Sequence, residues 1–202
     1  MPLWLAGEPL VLASRSKARQ RLLADAGIPI EICAADLDER RLESQASSKA
    51  PGVIAAHLAR AKATAVPKAL PGRLTLGADQ VLALGAECFA KPADRTAARA
   101  QLRALCGRTH ELHSAVAVVK DATVLFEHVG VARLTMRSFS EQFLDLYLDA
   151  SGEAATASVG GYQLEGLGVQ LFERMDGDYF TVLGLPLLQV LDFLRRDGYL
   201  AR

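Results

Sequence analysis

The sequence predicts an α/β fold: a mixed, twisted sheet with flanking helices, two-lobed around a central cleft. Two observations predict it. Short apolar runs alternate with stretches of helical periodicity through the first half of the chain, the pattern of strands joined by helical crossovers. Two long alternating runs, residues 109–119 and 123–136, then dominate the middle, as paired antiparallel strands do. There is no internal repeat, low-complexity segment or long linker, so the 202 residues are expected to form one domain, 1–202.

Residues 10–13 read as a buried strand. Residues 16–26 read as a helix, with Leu22 and Leu23 toward the core and Gly27 as its stop. Residues 29–33 make a second short strand, and the polar stretch 36–48 reads as a loop. Pro51 opens a helix in which Ile54, Leu58, Ala61 and Ala65 recur on one face, and Pro67 ends it. Residues 74–84 are apolar apart from Gly77, Asp79 and Gln80, which suits a central strand with a break in it. Asp94 can cap a helix that places Ala98, Leu102 and Leu105 on one face and closes at Gly107. The two long strands meet near residues 120–122. Ser138 and Glu141 have capping-box spacing for a helix through Tyr147. The glycine-rich stretch 160–168 is a loop or tight turn, and residues 169–173 read as a strand. Pro186 starts a last helix with Leu187, Val190, Leu191 and Leu194 as its stripe and Gly198 as its end.

Composition bounds the function. Half the residues are hydrophobic, enough for a substantial core, and 23 basic residues balance 23 acidic ones. That balance argues against a general affinity for nucleic acid or membrane surfaces, so any anion site is local. Cys33, Cys88 and Cys106 are widely spaced without a CxxC pair. They suit buried thiols in a reducing compartment rather than a disulfide framework or zinc knuckle. No apolar run approaches the roughly 18–20 residues that cross a bilayer. Glu8 and Pro9 interrupt the apolar start, which makes a poor signal peptide. A cytoplasmic protein with no membrane partner is the expectation.

The candidate chemistry begins at residues 10–21, LVLASRSKARQR. An apolar run gives way to Ser14 and Ser16 and to Arg15, Lys17, Arg19 and Arg21. Unpaired N–H groups at a helix start attract anions, and guanidinium groups match phosphate oxygens. A solvated basic helix start accounts for the same residues. Asp79 stands where the flanking pattern in LTLGADQVLAL asks for an apolar side chain. A buried carboxylate must be paired, bound to a metal or set facing a cleft, and Gly77 and Ala78 before it leave room for close approach. Lys91, in CFAKPAD, lies just ahead of a helix start, where it could reach a bound anion or simply be solvated. Lys62 lies at the edge of an apolar stripe, where a snorkelling stem explains it equally well. Asp36, Asp38 and Glu39 offer hard oxygen ligands for a divalent cation, or form a solvated loop. His110 and His113 lie three apart on a strand, hence on opposite faces, and are read as structural. GGYQLEGLG supplies a permissive backbone with Tyr162 and Glu165, and a carboxylate there could bond the N–H edge of a guanine-like base. HExxH, GxSxG and Walker A sequences are absent.

Taken together, these segments resemble the Maf family of nucleotide pyrophosphatases. LVLASRSKAR, ADLDE, LARAKA, LGADQVLAL, AKPAD, CGRTH, GGYQLEGLG and DGDYFTVLGLP follow one another in the family's order over nearly the whole chain. The resemblance implies an ITPase-like fold, a homodimer, and hydrolysis of nucleoside triphosphates to monophosphate and pyrophosphate with a divalent cation, magnesium or manganese. By motif position, Ser14 and Arg19 match the phosphate-binding start, with Arg15 and Ser16 beside them as substrate-binding candidates. Glu39 matches the acidic metal-site residue, Lys62 and Lys91 the two lysines, and Asp79 the proton acceptor and a second metal-site candidate. Gln80 and Glu165 fall where the family varies with the base. Their pairing resembles the 7-methylguanosine triphosphate branch. Lys17 and Ala18 depart from the usual SxSPRR start, Ala18 stands where that branch has tryptophan, and Ser158 replaces a family lysine. The altered start motivates a second expectation, a catalytically weak nucleotide-binding regulator of cell division.

Overall fold

The first apolar run forms β1 (Leu10–Leu12), buried along its length. It pairs in parallel with β2 (Ile30–Ile32) on one side and β3 (Leu74–Leu84) on the other, so that Leu12 lies beside both Ile32 and Leu76. Parallel neighbours need crossovers. The first is α1 (Lys17–Asp25); the second contains α2 (Glu39–Gln45) and α3 (Pro51–Thr64). Because the chain leaves β1 toward one side and returns as β3 on the other, the carboxyl end of β1, which lies beside Leu76 of the longer β3, marks a topological switch point, where open α/β sheets place their ligands.

The structure, a computed structural model, describes residues 3–34, 37–66, 70–121 and 123–202. Its other elements are β4 (Glu87–Phe89), α4 (Arg95–Leu105), β5 (Thr109–Lys120), β6 (Thr123–Met136), α5 (Glu141–Ser151), α6 (Ala154–Ala157), β7 (Phe172–Asp176), α7 (Tyr179–Val182) and α8 (Leu187–Arg196), with 3₁₀ turns at Val159–Gly161 and Leu167–Leu171. Seven strands form a sheet ordered β2-β1-β3-β5-β6-β7, with β4 on β3. It is mixed, since β4 and β7 run antiparallel to β3 and β6. The chain divides into two compact units. One comprises Met1–Gln80, His113–Gly130 and Asp178–Arg202; the other comprises Val81–Leu112 and Val131–Gly177.

In the first unit, Leu10, Leu12 and Leu23 pack with Val116, Val190 and Phe193 in a continuous apolar core. Burying each such side chain fully stabilises by about 1.5–3 kcal/mol. In the second unit, Asp94 caps α4 by accepting the Ala97 N–H at 2.8 Å, and Ala98, Leu102 and Leu105 form its buried face as expected. Along β5 and β6, Thr109 meets Thr135 and Glu111 meets Arg133, the order of an antiparallel pair. Among the described residues, no helix is long and apolar enough to cross a membrane.

Several local expectations are corrected. The stretch read as a loop contains α2, because Asp38 caps it by accepting the Arg41 N–H at 3.1 Å; Asp36 and Pro67 lie outside the described residues, as does Ala122. β3 carries no break: it runs through Gly77 and Asp79 for 11 residues. The buried face of α3 is Ala55, Leu58, Ala59 and Ala63, rotated from the expected Ile54, Ala61 and Ala65. The cap of α5 is Ser140, which accepts the Phe143 N–H, and α5 continues past Tyr147 to Ser151. Glu141 is its first residue and pairs with Arg99 and Arg103. The expected strand at 169–173 starts as a 3₁₀ turn and becomes β7 only at Phe172. The cysteines form no disulfide, but none is buried: Cys88 is exposed, and Cys33 and Cys106 are half-buried.

Candidate active site

The end of β1 organises the site. Ser14 is buried, and its Oγ accepts the Ser16 N–H and Arg19 Nη1, both at 3.2 Å. Ser16 is the N-cap of α1, accepting the Arg19 N–H at 3.4 Å. Arg19 is also buried. It donates from Nε to the Gly184 carbonyl and from Nη1 to the Ala78 carbonyl, both at 2.8 Å. These partners are neutral oxygens, so the guanidinium charge is oriented without being neutralised by them. Burial pushes its pKa down, while Asp79 and Glu39 pull it back up. Arg15 is exposed.

The central carboxylate is delivered by β3 and met by α3. A Cβ at Gly77 would lie 2.2 Å from the Ala59 carbonyl and 2.6 Å from the Ala63 nitrogen. Gly77 therefore lets α3 lie against the strand; the close approach expected there is to a helix. That contact brings Lys62 to Asp79, two residues beyond Gly77. Lys62 Nζ lies 2.5 Å from Asp79 Oδ1 and 2.9 Å from Glu39 Oε1. Lys62 and Asp79 are largely enclosed, with side-chain exposures of 16% and 10%, whereas Glu39 is at 52%. Burial pushes the Asp79 carboxyl above its ordinary range and Glu39 adds to the push, against Lys62 and Arg19.

Glu43 lies one turn beyond Glu39 on α2. Although exposed, its carboxyl is pushed up by partial desolvation and then by the charges of Asp79 and Glu39. The i,i+4 spacing of Glu39 and Glu43 would have marked it, had 39–45 been read as a helix. Around Lys62, the carboxylates of Glu39, Glu43 and Asp79 face the cations Lys62, Arg19 and Arg40. Glu39 and Asp79 both reach the Lys62 ammonium, and their oxygens are of the hard kind that magnesium or manganese takes. Among the described residues there is no group of three or more His, Cys, Asp or Glu placed to hold a metal. A cation held by these two carboxylates would take water and phosphate oxygens as its other ligands, the usual habit of magnesium.

Gln80 follows Asp79. Its Nε2 donates to Ser114 Oγ at 2.9 Å and to the carbonyls of Val182 and Thr181 at 3.0 and 3.2 Å. Ser114 Oγ also donates to the Thr181 carbonyl at 2.7 Å. Gln80 and Arg19 thus pin the turn from Thr181 to Gly184, where Gly184 has φ +87°. The turn lies within the segment DGDYFTVLGLP, but the carbonyls it offers leave no trace in residue identity.

Ser14, Ser16, Arg19, Glu39, Lys62, Asp79 and Gln80 all belong to the first unit; Lys91 and Glu165 belong to the second. Lys91 is exposed beside buried Pro92, and Glu165 is exposed in the turn ahead of Leu167. His110 is structural, as expected. It is buried, its Nε2 lies 2.7 Å from Tyr162 Oη, and burial lowers its pKa to about 4.

Residues 9–197 match the family described as Maf-like protein. The chain belongs to the Maf family. A family relative from Rhodopseudomonas palustris, named nucleoside triphosphate pyrophosphatase, is 58% identical over 201 residues and all of both chains. One of the same name from Bradyrhizobium diazoefficiens is 54% identical over all of both chains. A 7-methyl-GTP pyrophosphatase from Mesorhizobium japonicum is 51% identical over 95% of this chain and 97% of its own. Among solved structures, a HAM1 protein from Coxiella burnetii overlaps 63% of this chain and 72% of its own, with 18% identity and a TM-score of 0.44.

Proposed function

We propose that this Maf protein is a nucleoside triphosphate pyrophosphatase that clears surplus or modified nucleotides, with 7-methyl-GTP as its preferred substrate. The observation that carries the reading is Lys62 held between Asp79 and Glu39 beside buried Arg19, just beyond the carboxyl end of β1 and midway along β3. Relatives of that activity at 54–58% identity over the full length support it. The base preference draws on the Mesorhizobium relative's name and on the Gln80 and Glu165 pair.

In this reading a water oxygen bonds to the α-phosphorus, the bond from that phosphorus to the α,β-bridging oxygen breaks, and pyrophosphate leaves with the electron pair. Asp79, oriented by Lys62, takes the proton of the attacking water. Arg19 and Lys62 offset charge that builds on the phosphate oxygens, where each such group is typically worth around 10²–10³ in rate. Glu39 and Asp79 are the residues that would hold the divalent cation, which neutralises phosphate charge and acidifies bound water. Lys91 and Glu165 are assigned charge compensation and base choice by motif position alone. Gln80 spends its amide nitrogen on the Thr181–Gly184 turn, so its contact with substrate falls to Oε1.

The test is product analysis on a panel of GTP, UTP and 7-methyl-GTP with magnesium or manganese. Pyrophosphate without orthophosphate is expected, together with loss of about 10²-fold or more in turnover for Asp79→Asn. Full turnover in both Asp79→Asn and Lys91→Ala overturns the site. Tight nucleotide binding with no product over hours identifies a regulator instead.

A further inference from the structure

Within the second unit, one side chain ties together the segments that carry Lys91 and Glu165. Gln101 lies half-buried on α4. Its Nε2 donates to the carbonyl of Ala90, the residue just before Lys91, at 2.7 Å. Its Oε1 accepts the Gly160 N–H at 3.0 Å. The two partners fix which way the amide points: a carbonyl only accepts and an N–H only donates, so the flipped amide loses both bonds.

The turn that Gln101 holds has little freedom. Gly160 and Gly161 have φ of +79° and +78°, a left-handed pair that side chains rarely adopt. A Cβ on Gly161 would come 3.2 Å from Leu102 Cγ and 3.4 Å from the Ala98 carbonyl, so the turn lies on α4 on either side of Gln101. Tyr147 Oη donates to the Gly161 carbonyl at 3.2 Å, and His110 anchors Tyr162 at the next residue. Glu165 follows three residues later. On the other side, buried Pro92 restrains the backbone after Lys91.

We propose that Gln101 is a positioning residue that sets the Lys91 segment against the Gly160 turn, so that the lysine serving the phosphates and the carboxylate choosing the base are held in one register. This rests on the roles given above to Lys91 and Glu165. A displaced Glu165 turn then shifts Lys91 as well, and a mismatched base lowers kcat in addition to raising KM.

Two substitutions separate the two arms. Gln101→Glu keeps an acceptor for Gly160 but turns the donor to Ala90 into a repelled carboxylate. Gln101→Leu removes both bonds. Kinetics with 7-methyl-GTP and UTP, and melting curves, are measured for each. Gln101→Glu is expected to lower kcat on both nucleotides by roughly tenfold, while the ratio of kcat/KM between them stays native. Gln101→Leu is expected to lower kcat similarly and also to reduce that ratio by roughly tenfold. If Gln101→Leu does not fold, the split between kcat and the ratio in Gln101→Glu carries the test. Native kcat in Gln101→Glu, or equal loss of the ratio in both variants, overturns the proposal. Lys91→Ala and Glu165→Gln run alongside: native behaviour in these removes the underlying roles, whereas their impairment beside a native Gln101→Glu removes the coupling only.

Discussion

Replacing Gly77 by alanine tests how the backbone delivers the site. The added methyl would lie 2.2 Å from the Ala59 carbonyl, 2.6 Å from the Ala63 nitrogen and 2.9 Å from Ala63 Cβ. None of these atoms is the end of a flexible side chain, so α3 must move away by about 1 Å before ordinary contact returns. Lys62 sits next to Ala63 on the same turn and moves with it. The 2.5 Å contact to Asp79 then opens to roughly 3.5 Å, beyond a good hydrogen bond. Overpacking of this kind costs about 1–3 kcal/mol, and an ångström of misplacement costs up to about 10²-fold in rate. Urea unfolding and single-turnover rates on 7-methyl-GTP with magnesium read the two effects. Gly85→Ala is the control: its φ is +63° with open space around it, so it should lose stability and keep turnover. A Gly77→Ala protein with native stability and native rate would refute the claim that helix contact positions Lys62.

Arg19→Lys keeps the charge but gives up the fork that reaches Gly184, Ser14 and Ala78. If the ammonium keeps one of these three bonds, the two charge-assisted bonds lost imply a loss of about 3 kcal/mol or more, read as a lower melting temperature, with turnover falling alongside; an unchanged melting temperature contradicts the anchoring role. Burial holds His110 at about 4 against an ordinary 6.5. The unfolded chain takes up this proton below about pH 6.5 and the native chain only below about 4, so stability should fall as pH drops through that window. At about 1.4 kcal/mol per pH unit, this group contributes a loss of about 3 kcal/mol. Urea unfolding at pH 7 and pH 4.5 should show a smaller loss in His110→Gln; equal losses would mean that the buried ring is not held neutral.

What the sequence made legible follows from what burial demands of it. β1, α1 and α4 declare themselves through apolar spacing and caps, because tertiary packing selects those residues. α2 does not, since no residue in it is buried and its polarity matches that of a loop. In the sequence Gly77 and Asp79 look like interruptions of β3. In three dimensions the glycine admits a helix and the carboxylate meets an amine from that helix, so both fit an unbroken strand. Asp79, Lys62 and Arg19 were visible as charged residues in apolar settings. Glu43 was hidden by the missed helix. The Gly184 carbonyl was hidden because any residue can supply one.

The element bearing Glu39 has an energetic consequence of its own. A helix of seven residues with no buried side chain is far too short to persist by itself. Its order is sustained by the Asp38 cap and by the tether from Glu39 to Lys62. An ion bound by Glu39, as proposed, would spend part of its affinity keeping that segment wound. In the proposed reaction, capture of the cation is therefore expected to be modest and readily reversed.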